Sequence, residues 1–173
     1  MKTKRIFNIM NVVSWIVFIG LCIKAGAIII VSVLSLFVNK NATENLYMGI
    51  DLSNLYNFSI GHFMFTVFLM ILVASLKAYI FYILIKIFRG LDYNKPFEAT
   101  IANLIFRISY ISLGVGLVGV VANTYVTWLR HKVFFTSIDI STSAYIFMAG
   151  VVFAIALLFQ RAIEIQSENE LTI

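Results

Sequence analysis

Four long apolar segments, separated by short polar stretches, occupy most of this 173-residue chain. Apolar side chains dominate residues 6–38, 60–87, 101–129 and 143–160. A bilayer core about 30 Å thick is crossed by roughly 20 helical residues, and each segment approaches or exceeds that length. Because a helix satisfies its own backbone hydrogen bonds in lipid, the pattern predicts an all-α, four-helix transmembrane bundle with small outer loops. We expect one transmembrane domain over residues 1–173, with helices at about 6–38, 60–87, 97–129 and 143–166.

The composition supports a membrane protein. Hydrophobic residues make up 61% of the chain and charged residues 12%, against about 45–50% and 25% in soluble domains. The net charge of +5 comes from cations scattered over helix ends and short loops, without a basic stripe interleaved with aromatic residues. Direct binding of nucleic acid is therefore not expected. The single cysteine, Cys22, is predicted to be a small buried side chain.

The cations alternate between the two ends of the apolar segments, which predicts an orientation. Eight cations fall at one end and three at the other, and the positive-inside rule places the richer end in the cytoplasm. Both termini are then cytoplasmic (N-in/C-in), and the expected location is a bacterial cytoplasmic membrane. The richer end holds Lys2, Lys4, Arg5, Lys86, Arg89, Lys95, Arg107 and Arg161, and the other holds Lys40, Arg130 and Lys132.

The two predicted outer loops differ in pattern. Residues 39–59 are rich in asparagine and predict irregular structure with one interfacial turn around residues 46–56. The second loop covers about residues 130–142. Within it, residues 133–140 alternate in polarity, with Phe134 and Ile138 on one side, which predicts a short strand or hairpin arm over the outer face.

Small and polar residues recur along the third helix at spacings of three and four. This spacing places them on one helix face, where a neighbouring backbone can approach closely. We expect this seam to pack against another helix of the same chain, and a homodimer face or a ligand groove is the alternative. Its members are Ser109, Ser112, Gly116, Gly119, Asn123 and Thr127.

Two lysines lie inside the apolar segments. Lys24 is near the middle of the first segment, and Lys77 is somewhat inward of the middle of the second. Such a lysine costs about 2.5–3.5 kcal/mol on insertion scales, and no acidic residue lies inside an apolar segment. The lysines are therefore either neutral through desolvation or face a wet interior with partners such as Ser75, Asn123 or Thr124.

The intramembrane lysines have two interpretations. The functional one is an anion or proton site inside the bundle. The other is polar packing combined with snorkelling, in which the lysine stem carries its amine toward the surface. Lys77 is better placed than Lys24 to reach the cytoplasmic side.

The sequence offers little for catalysis. His62 and His131 both fall near the predicted outer face, and their spacing matches no metal-ligand motif. There is no nucleophile elbow, phosphate-binding glycine loop or intramembrane acidic pair. We therefore predict a non-enzymatic protein without a cofactor or metal.

Two polar segments on the predicted inner side have the clearest pattern. Gly90 suits the end of the second helix, and Pro96 suits the first turn of the third. The tail from Arg161 to Ile173 can extend the fourth helix beyond the membrane or fold back on the inner loop. Its glutamates could form ion pairs with Arg89, Lys95 or Arg107.

At these segments the chain resembles the bacterial domain of unknown function 2975 family. The resemblance is carried by Asn94-Lys95-Pro96-Phe97, by Phe153-Ala154-Ile155-Ala156 and by the glutamate-rich end from Glu164 to Leu171-Thr172-Ile173. It implies a small four-helix inner-membrane protein over essentially the whole chain. It also implies a helix-turn-helix regulator as a candidate partner, and it names no reaction.

The main functional prediction is a membrane protein that binds a cytoplasmic protein at its inner face, tethering a small helix-turn-helix regulator. The predicted contact residues are Arg89, Lys95, Glu164, Glu168, Glu170, Leu171, Thr172 and Ile173. The alternative is a ligand-binding or transport bundle that uses Lys24, Lys77 and the polar seam with Asn123. A further alternative is a homodimer or an accessory subunit of a larger membrane complex.

Overall fold

The computed structural model describes residues 2–90, 98–135, 138 and 142–170. These residues form five α-helices and one 3₁₀ helix, and they contain no β-strand. In chain order they are α1 (Lys2–Phe37), the 3₁₀ helix (Lys40–Asn45), α2 (Ser53–Phe58), α3 (Ile60–Gly90), α4 (Ala99–Arg130) and α5 (Ser143–Glu170).

Four of these helices, α1, α3, α4 and α5, are long and apolar enough to cross a membrane. Their ends lie within four residues of the positions predicted from the sequence. The all-α prediction with four membrane helices is therefore confirmed, and the chain is a multi-pass membrane protein. Hydrophobic runs specify such helices because the backbone N–H and C=O groups in lipid must form their hydrogen bonds within each segment.

The four long helices pack in chain order, α1 on α3, α3 on α4 and α4 on α5. Neighbouring helices are antiparallel, as the contacts of Phe7 with Phe88 and of Gly90 with Ile101 show. The first and last described residues therefore share one end of the bundle, the terminal end, and residues 38–59 and 131–135 lie at the other, the loop end.

The two middle helices form the core, and the outer two flank it. In the most apolar stretches, 44% of the residues of α3 and 33% of those of α4 are buried, against 11% in α1 and in α5. Large apolar side chains of α1 and α5 therefore face outward, where lipid is the matching solvent. Cys22 is among these outward residues, so the prediction of a buried cysteine was wrong.

The loop of residues 39–59 is more ordered than the sequence predicted. Leu46, Leu52 and Leu55 are fully buried against the loop end of the bundle. The backbone N–H of Leu52 donates to the carbonyl oxygen of Thr43 at 2.9 Å, and this contact joins the two short helices. The helix α2 overlaps the predicted turn around residues 46–56, whereas the 3₁₀ helix lies where irregular structure was predicted. The three leucines gave no signal in the sequence because polar residues separate them.

Three described residues between α4 and α5 are buried: Phe135, Ile138 and Thr142. Phe134 is 83% exposed while Phe135 and Ile138 are buried, so Phe134 and Ile138 do not share a side and the predicted strand is absent from the described residues. Thr142 is buried against Gly119. Gly119 lies about 16 Å of helix from Arg130, so α5 begins well inside the bundle. Residues 136, 137 and 139–141 lie outside the described part of the chain.

The terminal end bears on two predictions. Glu98 is extended, with φ −111° and ψ 141°, and its carbonyl oxygen accepts from the N–H groups of Ile101 and Ala102. The helix α4 therefore begins after Glu98, two residues from the predicted start, and the prediction for Pro96 lies outside the described residues. Of the two alternatives for the tail, the described residues show the extension of the last helix, since α5 continues to Glu170.

Candidate functional site

The two intramembrane lysines line one cavity. Lys24 comes from α1 and Lys77 from α3, and the cavity between them has a volume of about 120 Å³. We call it the lysine cavity. Its remaining walls are apolar side chains of the two helices and of the two loop segments: Leu21, Ile50, Met70, Val73, Ala74 and Ile138.

Helical spacing explains how the chain builds this cavity. Met70, Val73, Ala74 and Lys77 are three or four residues apart and therefore share one face of α3. Lys24 on α1 is supplied across the α1–α3 contact, which is the packing that brings the two lysines together. The sequence alone does not predict that the two lysines line one cavity, since they are on separate helices.

Each ammonium group lies over an aromatic ring. The Nζ atom of Lys24 is 5.9 Å from the centroid of the Tyr47 ring, and that of Lys77 is 4.8 Å from the centroid of Tyr145. Attraction between a cation and a ring face stabilises a charge that leaves bulk water. Both lysines are half-buried, and Lys77 faces the cavity with Lys24.

Tyr145, the residue under Lys77, lines a second cavity. This cavity has a volume of about 350 Å³, and apart from the tyrosine its lining is entirely aliphatic, aromatic or thioether. We call it the apolar cavity. Its walls come from three helices: Ile80, Phe81, Leu84 and Ile87 of α3, Ile105 and Ile108 of α4, and Tyr145, Met148, Val152 and Ile155 of α5.

The contact between Tyr145 and Lys77 was not predicted from the sequence. An aromatic residue near the start of a membrane helix is typical of the lipid–water interface, and nothing in the pattern indicates otherwise. Tyr145 reaches Lys77 because α5 begins beside Gly119, deep in the bundle.

The small residues of α4 pack against α5, as the intramolecular interpretation of the seam predicted. The hydroxyl of Ser109 donates to the carbonyl oxygen of Ala149 at 2.9 Å. A β-carbon at Gly116 would overlap Ile146, and one at Gly119 would overlap Thr142. The close packing of α4 on α5 extends to Gly119, whereas Asn123 and Thr127 lie beyond the start of α5 and are exposed.

The predicted polar partners of the lysines do not line the lysine cavity. Ser75, Asn123 and Thr124 are exposed on α3 and α4. The hydroxyl of Thr124 donates to the carbonyl oxygen of Val120 in its own helix at 2.9 Å. Six of the eight residues that line the lysine cavity are apolar, and the other two are Lys24 and Lys77.

The comparisons with known proteins identify the family. The family model described as "Protein of unknown function (DUF2975)" matches residues 64–173. The chain belongs to this family. No curated protein and no solved structure matches the chain.

The matched region of this DUF2975 protein holds part of the lysine cavity. Val73, Lys77 and Ile138 lie within residues 64–173, whereas Lys24 and Ile50 lie before them. The complete lysine cavity therefore needs α1 and the first loop in addition to the matched region.

At the loop end of this DUF2975 protein, His62 belongs to an aromatic cluster. Its Nδ1 atom is 2.7 Å from the hydroxyl oxygen of Tyr125, and its ring also contacts Phe58 and Trp128. Lys132 places its Nζ atom 4.2 Å from the centroid of the Trp128 ring. Within the described residues, no three histidine, cysteine, aspartate or glutamate side chains come close enough to hold a metal ion.

At the terminal end, four of the eight predicted partner-binding residues lie in the described part of the chain. Arg89 lies over the ring of Trp15, 5.3 Å from its centroid. Glu164 accepts from Arg161 of its own helix at 2.7 Å, rather than from the predicted cations of the inner loop. Glu168 is exposed and Glu170 ends α5. The other predicted contact residues lie outside the described part of the chain: Lys95, Leu171, Thr172 and Ile173.

Proposed function

We propose that this protein is a non-enzymatic membrane receptor that binds an anionic group between Lys24 and Lys77. The observation that carries the proposal is that lysines from two different helices line one cavity. A chain that places one lysine in each of two membrane helices bears about 2.5–3.5 kcal/mol of insertion cost for each. An anion bound between the two ammonium groups offsets part of that cost.

The size of the lysine cavity supports binding of a small head group. A volume of about 120 Å³ is roughly eight times the minimum that holds one water molecule. A carboxylate or a phosphate group is small enough for such a space, and in this proposal its oxygens accept from both ammonium groups. The apolar walls lower the local dielectric and strengthen that attraction.

Titration of the purified protein with anions tests this proposal. The full chain in phosphatidylcholine nanodiscs is titrated by calorimetry with sodium acetate, sodium phosphate and sodium palmitate, with sodium chloride holding the ionic strength constant so that no second carboxylate is present. We expect heat of binding from at least one of these anions in the wild type and its loss in the Lys24→Met/Lys77→Met double variant.

Lys86→Met is the matched control, because Lys86 is on the same helix as Lys77 but lies over Tyr82 and away from the lysine cavity. It should bind as the wild type does. Equal binding by the double variant, or no binding of any of the three anions by the wild type, overturns the proposal.

A second candidate function is the tethering of a cytoplasmic regulator at the terminal end. It is supported by a groove of about 260 Å³ between the start of α4 and the end of α5, which Ala102, Asn103, Ile163 and Glu164 help to line. Ile165 is 49% exposed beside it, so that apolar and acidic groups are both available to a partner helix. The family resemblance suggests a small helix-turn-helix regulator as that partner.

Co-purification tests the tethering function. A regulator encoded beside this gene should be recovered with the full chain and lost on truncation of residues 164–173. Arg161→Ala removes only the exposed ion pair with Glu164 and should retain the regulator. Recovery with the truncated chain contradicts this function. For both candidates, the family resemblance suggests a bacterial inner membrane, and the charge distribution favours a terminal end in the cytoplasm.

A further inference from the structure

We infer that the ligand of the lysine cavity is a single-chain anionic amphiphile, a long-chain carboxylate whose head binds Lys24 and Lys77 and whose hydrocarbon chain fills the apolar cavity. This inference rests on the proposed function and specifies the ligand class. It goes further because it assigns an occupant to the apolar cavity as well.

The first observation is that the two cavities meet at one side chain. The ring of Tyr145 carries the Lys77 ammonium group 4.8 Å from its centroid, and the same residue lines the apolar cavity. Lys77 itself lines the lysine cavity. A polar space and an apolar space therefore adjoin across a single half-buried tyrosine, an arrangement that matches the head and tail of an amphiphile.

The second observation is the shape of the apolar cavity. Along α3 its lining runs from Ile80 to Ile87, and along α5 it runs from Tyr145 to Ile155. These stretches correspond to about 10 Å and 15 Å of helix. The apolar cavity is thus elongated along the helices, which is the direction that a hydrocarbon chain takes beside a membrane helix.

The third observation is that packing leaves this space between helices. The helices α3 and α5 each contact α4, and within the described residues no backbone contact joins α3 to α5. Side chains of α3 and α5 therefore face each other across the apolar cavity. An apolar occupant adds van der Waals contacts where the side chains of α3 and α5 leave this space.

The positive charge of the two lysines favours an anionic amphiphile over a neutral or zwitterionic one. A neutral alcohol or the acyl chain of a zwitterionic phospholipid can fill the apolar cavity, but neither brings a net negative head to Lys24 and Lys77. A carboxylate directly attached to the chain does, and its small head fits the volume of about 120 Å³ in the lysine cavity. The ring of Tyr145 must turn aside to join the two cavities.

Photolabelling of the full chain tests the inference. A palmitate analogue with a diazirine in its hydrocarbon chain is added to the protein in phosphatidylcholine nanodiscs and activated by light. We expect labelled peptides from residues 80–87, 105–108 or 145–155. Unlabelled palmitate should compete about tenfold more effectively than hexadecanol, which has the same chain without the charge, and acetate should not compete.

Two pairs of variants locate the head and the chain. Val152→Phe places a ring in the apolar cavity and should reduce labelling, whereas Val151→Phe makes the same change on the adjacent, lipid-exposed position and should not. Lys24→Met/Lys77→Met should abolish the preference for palmitate over hexadecanol, and Lys86→Met should keep it. Size-exclusion profiles of all variants show that each is folded.

The outcomes separate this inference from the proposed function. Competition by acetate as strong as that by palmitate, with labelling insensitive to Val152→Phe, leaves anion binding intact and overturns the amphiphile. Equal competition by hexadecanol shows a bilayer-derived or neutral chain in the apolar cavity and also overturns it. Absence of any binding or competition that depends on Lys24 and Lys77 overturns both.

Discussion

Thr142 occupies the space that a β-carbon of residue 119 would fill, so that the chain before α5 lies directly on the backbone of Gly119 in α4. This contact sets where α5 begins. Because Gly119 is well inside the bundle, the first turn of α5 reaches the depth of Lys77, and Tyr145 comes to lie under its ammonium group. The boundary between the lysine cavity and the apolar cavity depends on this one approach.

Replacement of Gly119 by alanine should destabilise the protein. The added methyl group overlaps the side chain of Thr142, and overpacking of this kind costs about 1–3 kcal/mol. Thermal unfolding in detergent micelles should show a lower midpoint. The control is Gly114→Ala on the same helix, where a β-carbon has no neighbour within 4 Å and alanine favours the helix by about 1 kcal/mol. An unchanged midpoint for Gly119→Ala would contradict the close approach.

Two serines of the α4 seam should respond differently to replacement by alanine. Ser109 donates to the carbonyl oxygen of Ala149, and loss of such an interhelical bond costs about 0.6–2 kcal/mol. The hydroxyl oxygen of Ser112 is buried without a hydrogen-bond partner, so Ser112→Ala should be neutral or stabilising. The two variants are compared by thermal unfolding under the same conditions. A larger loss for Ser112→Ala than for Ser109→Ala would show that this seam is bonded differently.

The loop end should be sensitive to changes in residues 39–59. Leu52 is fully buried, and replacement of a buried leucine by alanine costs about 2–5 kcal/mol. Met48→Ala serves as the control, because that side chain is 85% exposed in the same loop. We expect a lower unfolding midpoint and faster proteolysis of the loop for Leu52→Ala alone. Equal behaviour of the two variants would mean that the loop does not pack on the bundle.

Cysteine labelling in intact cells should reveal the orientation. In a Cys22→Ser background, Met48→Cys should react with a membrane-impermeant maleimide, since the positive-inside rule places the loop end outside. Glu164→Cys at the terminal end should react only after the cells are permeabilised. Both positions are exposed, so accessibility in the fold does not limit either reaction. The reverse pattern would invert the orientation and place the loop end in the cytoplasm.

Hydrophobic periodicity predicted some features of this fold and failed to predict others. The seam from Ser109 to Gly119 was readable because small residues at helical spacing have one common use in membranes, which is close helix packing. The burial of the loop leucines and of Thr142 could not be predicted from the sequence pattern. Their positions depend on contacts with residues that are not sequence neighbours: Leu52 donates to Thr43 within the loop, and Thr142 packs on Gly119 of α4.

The sequence by itself determined the number of membrane helices, their ends to within four residues and the family, because the bilayer fixes helix length and demands internal hydrogen bonds. Only the tertiary structure decided that Lys24 and Lys77 line one cavity and that Tyr145 separates it from an apolar one. Which faces meet depends on side-chain packing between helices, and a one-dimensional pattern of polarity carries no record of that packing.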